Sequence, residues 1–141
     1  MLRILIADDH EFIRKGLRQI LMEAFSSVYV GEAEDTDTLT TMVFSEHWNL
    51  VITDISMPGK GGLDALKSIK QQLPEMPVLV LSIYPEDQFA MRVLYAGASG
   101  YLNKDAAPEM LIKAVKDILS RKKYITPATK GFIQRDDNDK E

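Results

Sequence analysis

From Leu2 to Ser120 the chain alternates short apolar runs with amphipathic stretches. The runs Leu2 to Ala7, Val28 to Ala33, Leu50-Val51-Ile52-Thr53, Val78-Leu79-Val80-Leu81 and Gly100-Tyr101-Leu102 read as strands. They are rich in branched residues, bounded by turn residues and too short for buried helices. Between them apolar residues recur at helical spacing. Phe12, Ile13, Leu17, Ile20, Leu21 and Ala24 predict a helix over about Glu11 to Ala24, and Leu39, Met42 and Val43 share a face of Thr36 to Ser45. Leu66, Ile69 and Leu73 give the inner face of Leu63 to Leu73, and a short fourth helix runs from about Asp87 to Ala96, ended by Gly97. Pro108 to Ser120 carries the stripe Leu111, Ile112, Val115, Ile118 and Leu119. Pro108 suits a first helical position, whereas Ala107 before it is a poor cap. The threonines of the second helix are β-branched and lower its propensity.

Strands separated by helices imply a parallel sheet with right-handed crossovers. The number of strands points to a doubly wound α/β fold of order 2-1-3-4-5. In such a sheet all carboxyl ends share one edge, where open α/β folds place their chemistry. There the sequence sets Asp8-Asp9 after the first strand, Asp54 after the third, Ser82 after the fourth and Lys104 just past the fifth. These carboxylates, hydroxyl and amine together can bind a hard divalent cation and carry a phosphoryl group on a carboxylate.

Taken singly, each residue has an ordinary reading. Asp54 would be a turn residue, Ser82 a cap, Lys104 a solvated lysine and Tyr101 a half-buried aromatic. One of Asp8 and Asp9 is expected to help cap the first helix. The specificity lies in the set. Like-charged carboxylates ~5 Å apart at an effective dielectric of about 20 repel by roughly 3 kcal/mol, which a cation must offset. All-oxygen ligands without cysteine favour Mg²⁺. His10 and His47 are the only histidines, so a histidine metal site is not expected and His10 is placed at the rim.

Composition narrows the field further. A chain of 141 residues with 45% apolar and 27% charged residues suits one soluble domain. No apolar stretch matches a membrane span and the N-terminus lacks a signal-peptide pattern. The absence of cysteine excludes thiol chemistry and suits a reducing cytoplasm. A net charge of −4 argues against nucleic-acid binding by this piece itself. After basic Arg121-Lys122-Lys123, Thr126-Pro127 breaks the pattern and Arg135 to Glu141 is almost wholly polar. The division expected is therefore a domain over residues 1–123 and a linker or tail over 124–141, partly or wholly disordered.

Ile6-Ala7-Asp8-Asp9-His10, Asp54-Ile55-Ser56-Met57-Pro58-Gly59, Leu81-Ser82 and Gly100-Tyr101-Leu102-Asn103-Lys104 together resemble the receiver domain of bacterial two-component response regulators. The resemblance covers about Leu2 to Ser120 and implies a flavodoxin-like receiver fold. It also implies a regulatory phosphoacceptor rather than an enzyme. Asp54 would accept a phosphoryl group from a sensor histidine kinase or phosphotransfer protein. Asp8, Asp9 and Asp54, with the backbone carbonyl of Ser56, would hold Mg²⁺. Ser82 and Lys104 would contact the phosphoryl oxygens, and Tyr101 would be the aromatic that swings inward on activation. Asp8-Asp9-His10, Ala96-Gly97-Ala98-Ser99-Gly100-Tyr101-Leu102 and Lys104 to Glu109 look like the subgroup whose receivers precede a LuxR-type helix-turn-helix. That implies phosphorylation-dependent homodimers and DNA contact only through a C-terminal domain missing from this sequence, which reads as a truncated piece or a stand-alone receiver. Asp105 stands where many receivers have proline, which leaves the isomer of the Lys104–Asp105 peptide open.

Two rival readings fit the sequence less well. A haloacid dehalogenase-type phosphohydrolase also uses an aspartate nucleophile, but its Asp-x-Asp pattern is absent: His10 follows Asp8 at the second position and Ser56 follows Asp54. A degenerate receiver serving as a protein-binding module would lack an acid, the hydroxyl or the lysine, yet all are present.

Overall fold

The computed structural model describes residues 1–59, 61–84 and 86–124. Of the tail expected over 124–141, everything after Tyr124, including Thr126-Pro127 and the Arg135 to Glu141 run, lies outside the described residues. The strands are β1 (Leu2–Ala7), β2 (Val28–Ala33), β3 (Leu50–Asp54), β4 (Val78–Ser82) and β5 (Gly100–Asn103). The helices are α1 (Glu11–Ala24), α2 (Thr36–Ser45), α3 (Gly62–Gln72), α4 (Glu86–Tyr95) and α5 (Ala107–Leu119), with a 3₁₀ turn at Lys104–Ala106. All strand pairs are parallel and their order is β2-β1-β3-β4-β5, as the alternation predicted.

Side-chain alternation along the strands sorts the core into two layers. Leu5, Ala7, Val51, Val78, Val80 and Tyr101 pack beneath α2, α3 and α4, meeting Leu39, Leu66, Ile69, Ala90 and Val93. Ile4, Ile6, Leu50, Ile52, Leu79, Leu81 and Leu102 pack beneath α1 and α5, meeting Leu17, Leu21, Leu111, Val115 and Ile118. Every residue of β3 and β4 is buried, as expected where helices cover both faces.

The differences from the sequence reading have local causes. Asp54 pairs with Leu81 and Ser82 with Asn103, so both polar residues end their strands instead of following them. The 3₁₀ turn makes Ala106 the cap of α5 and places Pro108 second in the helix. Phe12 and Ala24 do not join the inner stripe of α1 but face solvent. Neither Asp8 nor Asp9 caps α1; its cap residue is His10, without a side-chain hydrogen bond. The Asp8 carboxylate is turned inward to Lys104 and receives the His10 N–H at 2.9 Å on Oδ1. The weak helix α2 is held by other means. Asp35 accepts the Thr38 N–H at 2.7 Å, the buried Trp48 donates Nε1–H to the Met42 carbonyl at 2.9 Å, and Leu39 and Val43 are buried.

Tyr124 belongs to the folded body, not to the linker. Its N–H donates to the Ser99 carbonyl at 2.9 Å, it bridges Gly100 in parallel and it is buried. A Cβ on Gly100 would lie 2.9 Å from the Tyr124 Cβ, so the missing side chain makes room for this docking.

Candidate functional site

The topology places β1 and β3 side by side where the strand order reverses, and their carboxyl ends carry Asp8 and Asp54. Crevices at such switch points are the usual ligand sites of open α/β sheets. Asp8, Asp54 and Ser82 are all buried. Lys104, first residue of the 3₁₀ turn, sends its ammonium back over the edge. Its Nζ lies 2.7 Å from Asp8 Oδ2 and 3.0 Å from Asp54 Oδ2. The lysine that would pass for a solvated residue is only 9% exposed along its side chain.

The other oxygens are tied locally. Asp54 Oδ1 accepts the Ser56 N–H at 3.0 Å. His10 Nδ1 lies 3.0 Å from Asp8 Oδ1 and 3.1 Å from Asp9 Oδ1, so His10 touches both acids instead of merely lining the rim. The loop after Asp54 is fixed by buried Met57, by the Thr36 N–H donating to the Pro58 carbonyl at 3.1 Å, and by Gly59 at φ 109°. Gly62 closes the loop. Its N–H donates to the Ile55 carbonyl at 3.0 Å, and any Cβ there would sit 2.5 Å from Ile55 Cα.

The electrostatics follow from burial and pairing. Burial alone would push the Asp8 carboxyl up; the Lys104 ammonium and the His10 N–H outweigh it and leave the group below the usual carboxylate range. Burial would likewise lower Lys104, but Asp8 and Asp54 hold it above the ordinary lysine value. At 2.7 Å the Lys104–Asp8 Oδ2 contact is a close ion pair, yet Oδ2 has no hydrogen bond of good geometry and is fully buried. An additional cation would satisfy that oxygen. One ligand atom from each of Asp8, Asp9, His10 and Asp54 lies within 4.8 Å of the others, so this cluster could hold a metal ion.

Ser82 and Tyr101 meet through the main chain of one residue, Tyr84. Ser82 Oγ accepts the Tyr84 N–H at 2.9 Å, while the Tyr101 hydroxyl donates to the Tyr84 carbonyl at 2.9 Å. Tyr101 is buried, so this structure holds it in the inward position. The Lys104–Asp105 peptide is trans, like the other described peptide bonds. Arg14 was missed altogether. It donates to the Asp8 carbonyl at 2.7 Å and pairs with Glu32 at 3.0 Å. Only its place one helical turn after His10 could have signalled this.

Two buried acids bridged by a lysine at the switch point of a 2-1-3-4-5 sheet define a class, and the sequence matches its family profile, "Response regulator receiver domain", over residues 4–116. The chain belongs to that family, the phosphorylation-dependent switch domains of two-component response regulators. It is 34% identical over 125 residues to the response regulator UvrY of Escherichia coli (strain K12), an alignment covering 89% of this chain. The chain spans 57% of that relative's length. Among solved structures it resembles a two-component response regulator of the LuxR family from Aurantimonas sp. SI85-9A1. There the TM-score is 0.86 at 28% identity, covering 95% of this chain and 96% of that one. It is also similar to the isolated REC domain of RcsB from Salmonella enterica serovar Typhimurium, with the phosphomimetic BeF₃⁻ present. For this pair the TM-score is 0.82 at 30% identity, covering 92% and 96% of the two chains. No described helix is long and apolar enough to cross a membrane.

Proposed function

We propose that Asp54 is the phosphoacceptor of a cytoplasmic signalling switch, charged by the phosphohistidine of a sensor kinase or phosphotransfer protein. The observation that carries this reading is the Lys104 ammonium held 2.7 Å from Asp8 and 3.0 Å from Asp54. In the transfer, an Asp54 carboxylate oxygen bonds to phosphorus as the histidine N–P bond breaks, and the released imidazole takes its proton from solvent. Asp8, Asp9, Asp54 and the Ser56 carbonyl would hold Mg²⁺, which fits the oxygen donors and the buried Asp8 Oδ2, an oxygen that makes an ion pair with Lys104 but no hydrogen bond of good geometry. When bound, Mg²⁺ neutralises charge on the phosphoryl oxygens.

Charge drives the change of state. The three acids are balanced by Lys104 and a divalent cation, whereas a phosphorylated Asp54 adds about one further negative charge. Lys104 and the Ser82 hydroxyl meet that excess by contacting the phosphoryl oxygens. Ser82 also holds the Tyr84 N–H, and Tyr84 holds Tyr101, so movement of the hydroxyl reaches β5. The output is a homodimer, which sets a C-terminal DNA-binding domain, of the kind the LuxR-type resemblance implies, on two half-sites. The domain, expected over residues 1–123 and extended by the docked Tyr124, acts as the switch, and the segment after Tyr124 acts as the linker. Apart from assisting its own phosphorylation and dephosphorylation, the domain is regulatory.

Mixing the chain with Mg²⁺ and a small phosphodonor tests the reading by intact mass and by sedimentation at several concentrations. One added phosphoryl and a raised dimer fraction are expected. An Asp54→Asn chain that takes up phosphate at the parent's speed and stoichiometry refutes the phosphoacceptor assignment.

A further inference from the structure

The turn between β1 and α1 carries both acids of the pair; Ala33 holds the Asp8 N–H and Asp8 Oδ1 holds the His10 N–H, which leaves the Asp8 carbonyl to be tied. Arg14 supplies the tie. It lies on α1 with its side chain only 12% exposed, and its Nη1 donates to the Asp8 carbonyl at 2.7 Å. Helical side chains lean toward the helix N-terminus, which brings this guanidinium back over the turn. Its Nε is held by Glu32 Oε1 at 3.0 Å, and Arg18 lies 3.8 Å from the other Glu32 oxygen. Glu32 is fixed in β2, opposite Ile6, and the next residue, Ala33, accepts the Asp8 N–H at 3.0 Å. The two backbone polar groups of Asp8 are thus both tied, one to β2 and one to a guanidinium that β2 orients. The carbonyl Arg14 grips belongs to the Asp8–Asp9 peptide. Fixing that plane limits how the two Cα–Cβ bonds stand toward each other, and the Lys104 and His10 contacts then orient the carboxylates.

We propose that Arg14, oriented by Glu32, is a positioning residue for the acid pair and sets its affinity for a divalent cation without touching the ion. The inference rests on the proposed Mg²⁺-dependent receiver reading. Two physical effects oppose each other here and make the role testable. As a bare positive charge near a cation site, Arg14 repels the ion, so its removal would tighten binding; Glu32 offsets much of that repulsion. As a clamp on the Asp8–Asp9 peptide, its removal loosens the ligand geometry and weakens binding. Partners that orient metal ligands from outside typically contribute about 10- to 100-fold in affinity.

Calorimetric Mg²⁺ titration of the chain decides between them, with circular dichroism of the metal-free proteins as a check on folding. Arg14→Met is expected to raise the Mg²⁺ dissociation constant by about tenfold, at the low end of that range. Arg18→Met removes the same charge from Glu32 without a bond to Asp8, and is expected to bind Mg²⁺ as tightly as the parent or more tightly. If Arg14→Met does not fold, Arg14→Lys keeps the charge and stem but cannot bridge Asp8 and Glu32 together, and it should bind several-fold more weakly than the parent. A folded Arg14 variant that matches or exceeds the parent's Mg²⁺ affinity overturns the proposal, as does equal weakening by Arg18→Met. If the parent itself binds no Mg²⁺, the receiver reading fails instead.

Discussion

Replacing Lys104 by methionine keeps most of the side-chain volume and removes the one charge that both buried acids share. At an effective dielectric of about 20, the attractions at 2.7 and 3.0 Å are about 6 and 5.5 kcal/mol. Much of that is cancelled by the cost of taking the ammonium out of water. The variant also leaves Asp8 and Asp54 facing each other. With ligand atoms 4.8 Å apart at most, their repulsion is at least about 3.5 kcal/mol on the same dielectric. Breaking a buried pair by deleting one partner typically costs about 3–5 kcal/mol, and that is the loss expected for Lys104→Met in metal-free buffer. The gap should depend on pH in a defined way. Asp8 is depressed below its ordinary 3.8, so its share of the pairing is complete above that value and fades as pH falls through the folded one. Lys104 is raised above 10.5, so its share is complete below that value and fades as pH rises through the folded one.

Urea unfolding at neutral pH, with and without Mg²⁺, measures both parts. A cation replaces the lost lysine charge, so Mg²⁺ should stabilise the variant more than the parent. Binding to the folded state alone adds about 2.7 kcal/mol at one hundred times the dissociation constant. A metal-free variant within about 1 kcal/mol of the parent would refute the argument, since that is the range of an exposed surface pair. Equal Mg²⁺ stabilisation of the two proteins would refute the charge-replacement step.

Gly62→Ala should destabilise the chain by about 1–3 kcal/mol and slow phosphorylation of Asp54, because the new Cβ meets the backbone of Asp54 and Ile55; urea unfolding and phosphodonor kinetics check both. Asp35→Ala should lower the melting temperature at neutral pH by removing the cap on Thr38 N–H. Hydrogen bonds from Thr38 hold the Asp35 carboxyl below 3.8, so the difference should persist above that value and vanish as pH falls through the folded one. Gly100→Ala should push Tyr124 off the edge of β5, seen as loss of amide-exchange protection at Tyr124 while protection in β1 and β3 is kept.

The arrangement was legible where chemistry is dictated by strand ends. Apolar runs fixed the five strands, alternation with helices made them parallel, and parallelism forced Asp8, Asp54 and Ser82 onto one edge. What the pattern could not carry were the contacts made by side chains that travel. Lys104 and Asp54 are 50 residues apart, and periodicity says only that both lie near the edge, not that the ammonium lies between two carboxylates. The same limit hid the inequality of the acid pair. Asp8 and Asp9 are alike as sequence, but Asp8 is buried against Lys104 while Asp9 keeps 32% of its side chain exposed. It also hid Phe12, which joined the helical spacing of α1 yet stands 88% exposed, because one apolar position at the start of a helix does not say where the covered face begins. Arg14 makes the point most sharply. A helical arginine is by default a solvated charge, and its use here depends on Glu32, 18 residues away on a neighbouring strand. Residues that bear the chemistry are confined to strand ends by topology; residues that hold them in place can come from any element within a side chain's reach.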